Sequence, residues 1–218
     1  MPLKIFIGNN PLFLCSTGFV LPSNEAFDLV GKDLIQEDFI SSKKLLELIE
    51  KLENKKQSIA CMLYHKNEEE LIKEFFSIFN LINAAGGLVE NINSEILMIY
   101  RKGKWDLPKG KVELKEKLIA AAEREVIEET GIKNLSVLNQ ILFYPWKQNA
   151  TIHTYWENNK RIVKNTYWYK MKSTIGSDFI PQLEEGITEV KWVNKSSVSD
   201  LLKKSYASIT DVLRYGKF

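Results

Sequence analysis

Glu125, Glu128 and Glu129 fall at i, i+3 and i+4, positions that share one face of a helix. Three carboxylates on one stripe repel each other unless a cation stands among them. No basic residue is expected on that stripe, so the compensating charge has to arrive as a metal ion. Oxygen ligands at this density suit a hard divalent cation, Mg²⁺ first and Mn²⁺ second. Such an ion neutralises phosphate oxygens, orients a substrate and activates water. The chemistry to expect is therefore hydrolysis of a phosphate-bearing molecule.

A helix over 115–130, ended by Gly131 as C-cap, must position these acids. Glu116 and Arg124 are eight residues apart, about two turns, and so lie on one side of it. Ala120, Ala121, Ala122, Val126 and Ile127 supply small or apolar packing against a sheet. The segment before it, RKGKWDLPKGKVE, is rich in Gly, Pro and Lys and reads as a loop.

The whole stretch from Gly110 to Ile132 reads GKVELKEKLIAAAEREVIEETGI. It resembles the Nudix box, G-x5-E-x7-R-E-U-x-E-E-x-G-U with U aliphatic, at every constrained position. With average residue usage the seven fixed letters match by chance on the order of 10⁻⁹ to 10⁻⁸ per window. The resemblance extends through flanking patterns over about 81–216. It implies an α/β (α+β) Nudix fold, a mixed β-sheet sandwiched between helices. It also implies an ion pair between Glu116 and Arg124 that braces the loop and helix, and a metal held by Glu125, Glu128, Glu129 and the Gly110 carbonyl.

Other residues join through the same resemblance. Trp105 to Glu113 is similar to the segment leading into the box of dinucleoside polyphosphate hydrolases, which points Lys109 at substrate phosphates. Arg161 and Lys164 precede an aromatic strand, Tyr167-Trp168-Tyr169. Arginine holds phosphate with two parallel hydrogen bonds, and Tyr167 is a candidate for stacking on a base. Glu185, with Glu184 beside it, fits the extra glutamate that the family often places in a later loop as general base or metal ligand. His153 lies in a strand-like segment and reads as structural.

The expected substrate is a small nucleotide-like molecule with a phosphoanhydride bond, a dinucleoside or nucleotide polyphosphate. ADP-ribose, a nucleoside triphosphate and an inositol pyrophosphate are alternatives. A ligand-sensing regulator without catalysis is the reading from another class. An intact box opposes it, as does the lack of a basic recognition helix in residues 1–80.

The rest of the chain bounds these readings. Its 218 residues suffice for one large or two small domains, with 44% hydrophobic and 27% charged residues, as in ordinary globular proteins. Residues 1–80 hold 9 Lys against 12 acids, while 81–218 hold 21 Lys+Arg against 16 acids. All four arginines lie in the second part, the half that favours an anionic substrate. No nucleic-acid surface is expected. Cys15 and Cys61 sit in apolar runs and read as buried thiols. MPLKIFIGNN does not read as a secretory signal, and no run approaches the ~20 apolar residues that span a bilayer. A cytoplasmic protein without membrane contact is expected.

Strands are expected at 3–7, 12–15 and 58–64, and helices at 42–54 and 67–79. These form a small β/α domain over 1–80, open to roles in covering the site, substrate choice or homodimerisation. The second domain, 81–218, carries strands at 81–91, 95–100, 135–144, 150–156, 162–171 and 188–193, and one amphipathic helix over 196–215. Gly86-Gly87 inside a strand suggests a bulge or a close backbone approach.

Overall fold

A computed structural model describes residues 2–54, 56–143, 146, 148–174 and 178–218. The chain divides into two compact units, 1–82 with 144–148 and 152–164, and 83–143 with 149–151 and 165–218. The expected boundary at 80/81 differs in that the hairpin at 152–164 belongs to the first unit.

The first unit contains β1 (Leu3–Ile7), β2 (Asn10–Ser16), β3 (Asp33–Asp38), α1 (Ser42–Glu53), β4 (Ile59–His65) and α2 (Glu68–Ser77). β1 and β2 form an antiparallel hairpin, β4 runs parallel to β2, and β3 runs parallel to β4 at the edge. The exposed sequence DLIQED of β3 shows no alternation, and no strand is expected there from the sequence. α1 starts at Ser41, whose side chain accepts from the Lys44 N–H, and buries Leu45, Leu48, Ile49 and Leu52. These apolar residues meet Ile5, Leu12, Leu14 and Leu63 in one core. Asn10 closes that core with polar bonds: its amide donates to the Leu52 carbonyl at 2.8 Å, and its carbonyl accepts from the Ile59 N–H at 3.0 Å.

The second unit is built mainly on β5 (Asn80–Glu90), β6 (Ile96–Arg101), β7 (Lys104–Asp106), β8 (Lys109–Lys111), α3 (Leu118–Thr130) and β9 (Leu135–Gln140). β10 (Thr151–Glu157) follows, almost wholly in the first unit, and then β11 (Lys160–Ser173), whose residues from 165 onward belong to the second. β12 (Ile187–Val193), α4 (Lys195–Leu202) and α5 (Ala207–Tyr215) complete it. The strand order is β12-β6-β5-β11, with β7 on β6, β8 on β5 and β9 on β11. Parallel and antiparallel strand pairs flanked by helices give the mixed α/β architecture expected.

α3 packs Ala121, Ala122 and Val126 on Ala85, Val89, Leu97, Ile99 and Met171. Leu88 alternates with Val89 and faces the other way, where the chain just after α5 closes on it at Gly216. Helices thus cover both faces of this sheet. The glycine pair does mark a close approach: a Cβ on Gly86 would meet Lys109 and the Pro108 carbonyl, and one on Gly87 would meet Met171 and Val126.

Three expectations are corrected. The loop 101–113 contains the short strands β7 and β8, because its backbone pairs with β6 and β5. α3 begins at Leu118, since Lys115 adopts φ 66°, and so Glu116 lies in the turn before the helix. Residues 196–215 form two helices instead of one. At their junction the Lys204 carbonyl accepts from the Trp105 N–H at 2.9 Å and the Ser205 hydroxyl donates to the Trp105 carbonyl at 2.7 Å.

Candidate active site

Arg124 organises the start of the site. Its Nε and Nη2 donate to the two carboxylate oxygens of Glu116 at 2.8 and 2.9 Å. Nη2 also reaches the Lys111 carbonyl at 3.0 Å. The backbone N–H of Glu113 donates to Glu116 at 2.9 Å. These bonds hold the Glu116 carboxyl far below its usual range, at about 2, with the guanidinium as the main cause. Glu116 and Arg124 come together as the resemblance implied, though from a turn and a helix rather than from one helix.

The same guanidinium overturns the expectation that no base shares the acidic stripe. Nη1 of Arg124 donates to Glu125 at 2.8 Å and to Glu128 at 2.9 Å. Glu128 is one turn beyond Arg124, at i+4, where opposite charges meet on a helix.

Glu125 and Glu129 point inward. Glu125 is 9% exposed and Glu129 is 1% exposed. Burial raises the Glu125 carboxyl above its ordinary value against the pull of Arg124, and pushes Glu129 up to about 7. A Cβ at Gly110 would overlap the Glu125 carboxylate, so only glycine lets that backbone and the acid share the space. Glu129 accepts from the Lys109 N–H at 2.8 Å.

A second arginine, Arg101 at the end of β6, closes the site from the opposite side. Its Nη1 donates to Glu129 at 3.3 Å, its Nε donates to the Glu185 carbonyl at 2.9 Å, and its Nη2 pairs with the Glu185 carboxylate. Glu185 ends a short 3-10 turn, Leu183–Glu185. The structure therefore brings Glu116, Arg124, Glu125, Glu128, Glu129, Gly110 and Glu185 into one neighbourhood. Sequence reasoning missed Arg101, whose partners are 28 and 84 residues away.

Other expected site residues are placed differently. Lys109 is 8% exposed, and its Nζ lies 2.7 Å from Asp106. Burial works against its charge, but Asp106 and Glu129 outweigh that and the ammonium is stabilised. Arg161 belongs to the first unit, where it bonds Glu53 and Glu50 of α1 at 3.1–3.2 Å. Lys164 lies in that unit too, 6.0 Å from the Tyr155 ring centroid. Tyr167 is partly buried against the core that holds Tyr169 and Met171. His153 stacks on Tyr155, a packing role.

As the side chains stand, no three acids, histidines or cysteines converge as a metal cluster among the described residues. Each acid is turned to an arginine or to backbone N–H. The donor set nevertheless suits a hard cation: it is all oxygen, two of its members are buried, and Glu128 keeps 47% of its side chain exposed at the mouth.

Comparison with known proteins places this geometry in a family. The family model for the NUDIX domain matches residues 81–214. The chain belongs to the Nudix family. Its box, read from Gly110 to Ile132, lies inside the matched region. This Nudix hydrolase is 27% identical over 132 residues to the RNA pyrophosphohydrolase of Pelagibacter ubique, covering 56% of this chain and 82% of that protein. Among solved structures, a C. elegans Ap4A hydrolase binary complex gives a TM-score of 0.47 at 22% identity, covering 62% of this chain and 95% of the other. The MutT protein of Methanosarcina mazei Go1 gives 0.45 at 21%, covering 64% and 95%. Nudix hydrolases use divalent metal ions. No helix among the described residues is long and apolar enough to cross a membrane.

Proposed function

We propose that this Nudix hydrolase cleaves a phosphoanhydride bond in a small nucleotide-like substrate, a dinucleoside polyphosphate or nucleotide polyphosphate, with Mg²⁺, or Mn²⁺ in its place. The observation that carries this reading is the inward burial of Glu125 and Glu129 beside Glu128 on α3. Folding alone does not bury two carboxylates on one helix face, because each costs solvation. The likeness to an RNA pyrophosphohydrolase supports a pyrophosphate bond as the target.

Glu125, Glu128 and Glu129, with the Gly110 carbonyl, would hold the metal. When bound, it would neutralise phosphate charge and help to ionise the attacking water. Glu185 accepts the proton of that water, whose oxygen forms a new bond to phosphorus while the anhydride P–O bond breaks. The phosphate on the far side leaves as an anion. Arg124 keeps Glu116 and the helix start in register, so the acids do not wander as charge shifts. Lys109, held by Asp106, Arg161, held by Glu53 and Glu50, Lys164, beside Tyr155, and Tyr167, against the core, act in support and packing.

The test is a panel of diadenosine polyphosphates, nucleoside triphosphates, ADP-ribose and RNA with a 5′ polyphosphate end, each with Mg²⁺ and both products identified. A dinucleoside polyphosphate should lead in kcat/KM by about tenfold or more, roughly 1.4 kcal/mol of transition-state preference. Equal, weak cleavage of every compound, or none, defeats the substrate assignment.

A further inference from the structure

Arg101 touches three acceptors on two separate elements. Two of its nitrogens hold Glu185, one through the backbone carbonyl and one through the carboxylate, and the third holds Glu129. The neighbouring backbone reinforces this placement. The Lys102 N–H donates to the Gly186 carbonyl at 3.3 Å, and the Gln182 N–H reaches the Glu129 carbonyl at 3.4 Å. The turn carrying Glu185 is thus moored to the ends of β6 and α3, with one guanidinium as the charged link. Its side chain is 19% exposed, so that link is only partly screened by solvent.

We infer that Arg101 is a resident counter-ion that a divalent cation has to displace from Glu129. It rests on the metal-site reading above. The charge of buried Glu129 is costly without compensation, and its two oxygens are already taken, one by Arg101 and one by the Lys109 N–H, so a cation that binds the first oxygen competes with Arg101. Arg101 is therefore a positioning residue with two states. Without the ion it pins the Glu185 turn to Glu129. With the ion the Glu129 carboxylate turns to the metal, and Arg101 is released from it. The protein keeps its acids neutralised in both states, and metal affinity is the difference between two cations rather than the full attraction of the site.

The sign of one measurement separates this from a merely structural arginine. Removing a competitor tightens metal binding, whereas loosening a scaffold weakens it. The dissociation constant for Mn²⁺ is measured by calorimetry on the full chain, without substrate, for the wild type, Arg101→Gln and Arg101→Lys. Arg101→Gln should bind Mn²⁺ several-fold more tightly. Arg101→Lys, which keeps the charge but cannot bridge three acceptors, should fall between. Unchanged or weaker binding by a folded Arg101→Gln overturns the inference. If Arg101→Gln does not fold, Arg101→Lys alone decides, and wild-type affinity in that variant overturns it. A wild type that binds no Mn²⁺ sinks the metal-site reading itself, and this inference with it.

Discussion

α1 and α3 are helices of nearly equal length, 12 and 13 residues, and each carries several glutamates. They treat them in opposite ways. α1 buries four aliphatic side chains and no glutamate: exposed Glu47 meets Lys44, and exposed Glu50 and half-buried Glu53 meet Arg161. α3 buries Glu125 and Glu129 together with its alanines and Val126. An acid on α1 solvates a face, and an acid on α3 occupies space that a hydrophobe would fill at lower cost. The difference separates a helix shaped by folding from one shaped by chemistry, and it can be broken or sharpened by substitution.

The largest effect is expected at Glu129. Glu129→Gln keeps the shape and removes the charge, and turnover of the true substrate should fall by about 10²-fold or more, beyond the 10–100-fold usual for outer residues. Steady-state kinetics check this, and near-normal turnover would erase the distinction between the helices.

The next test concerns buried groups of the first unit that do no chemistry. Burial pushes the thiols of Cys15 and Cys61 up to about 12 from 9.0. Between these values the folded state keeps protons that the unfolded chain loses. Stability is therefore undiminished below pH 9 and declines as pH rises toward 12, by at most about 1.4 kcal/mol per pH unit for each thiol. Denaturant titrations across that window should show the decline, and a Cys15→Ala, Cys61→Ala double variant should show less of it. An equal slope in both proteins counts against neutral, inert thiols.

The smallest effect belongs to α1. Glu47→Gln breaks only an exposed i,i+3 pair with Lys44, and stability should shift by no more than about 0.5 kcal/mol with activity intact. A loss of activity would show that the surface acids of α1 matter to the site after all.

Which parts of the site were legible follows from distance along the chain. The three box glutamates announce themselves because they share one helix, so spacing encodes proximity, whereas the Glu116–Arg124 pair was reached by resemblance, since Glu116 lies before α3. Arg101 does not announce itself, because its meaning arises only when β6, α3 and the 183–185 turn meet. Glu185 was reached by resemblance. Lys109 was expected to face phosphate, yet a carboxylate three residues earlier, Asp106, holds it inside. In the fold, the helices expected at 42–54 and 67–79 stand as α1 and α2. β3 was not legible, since an exposed edge strand needs no hydrophobic pattern. The division of 196–215 was hidden because neither Gly nor Pro marks it.

That division also ties distant parts of the chain to the loop 101–113 that leads toward the candidate site. Residues 204 and 205 grip Trp105 by both backbone directions, one position before Asp106. A redesign that spliced α4 and α5 into a continuous rod would spend the Lys204 carbonyl on the helix ladder, move the Ser205 hydroxyl off Trp105 and cut the loop adrift. The kink is thus a buckle for the active site, fastened from nearly a hundred residues downstream.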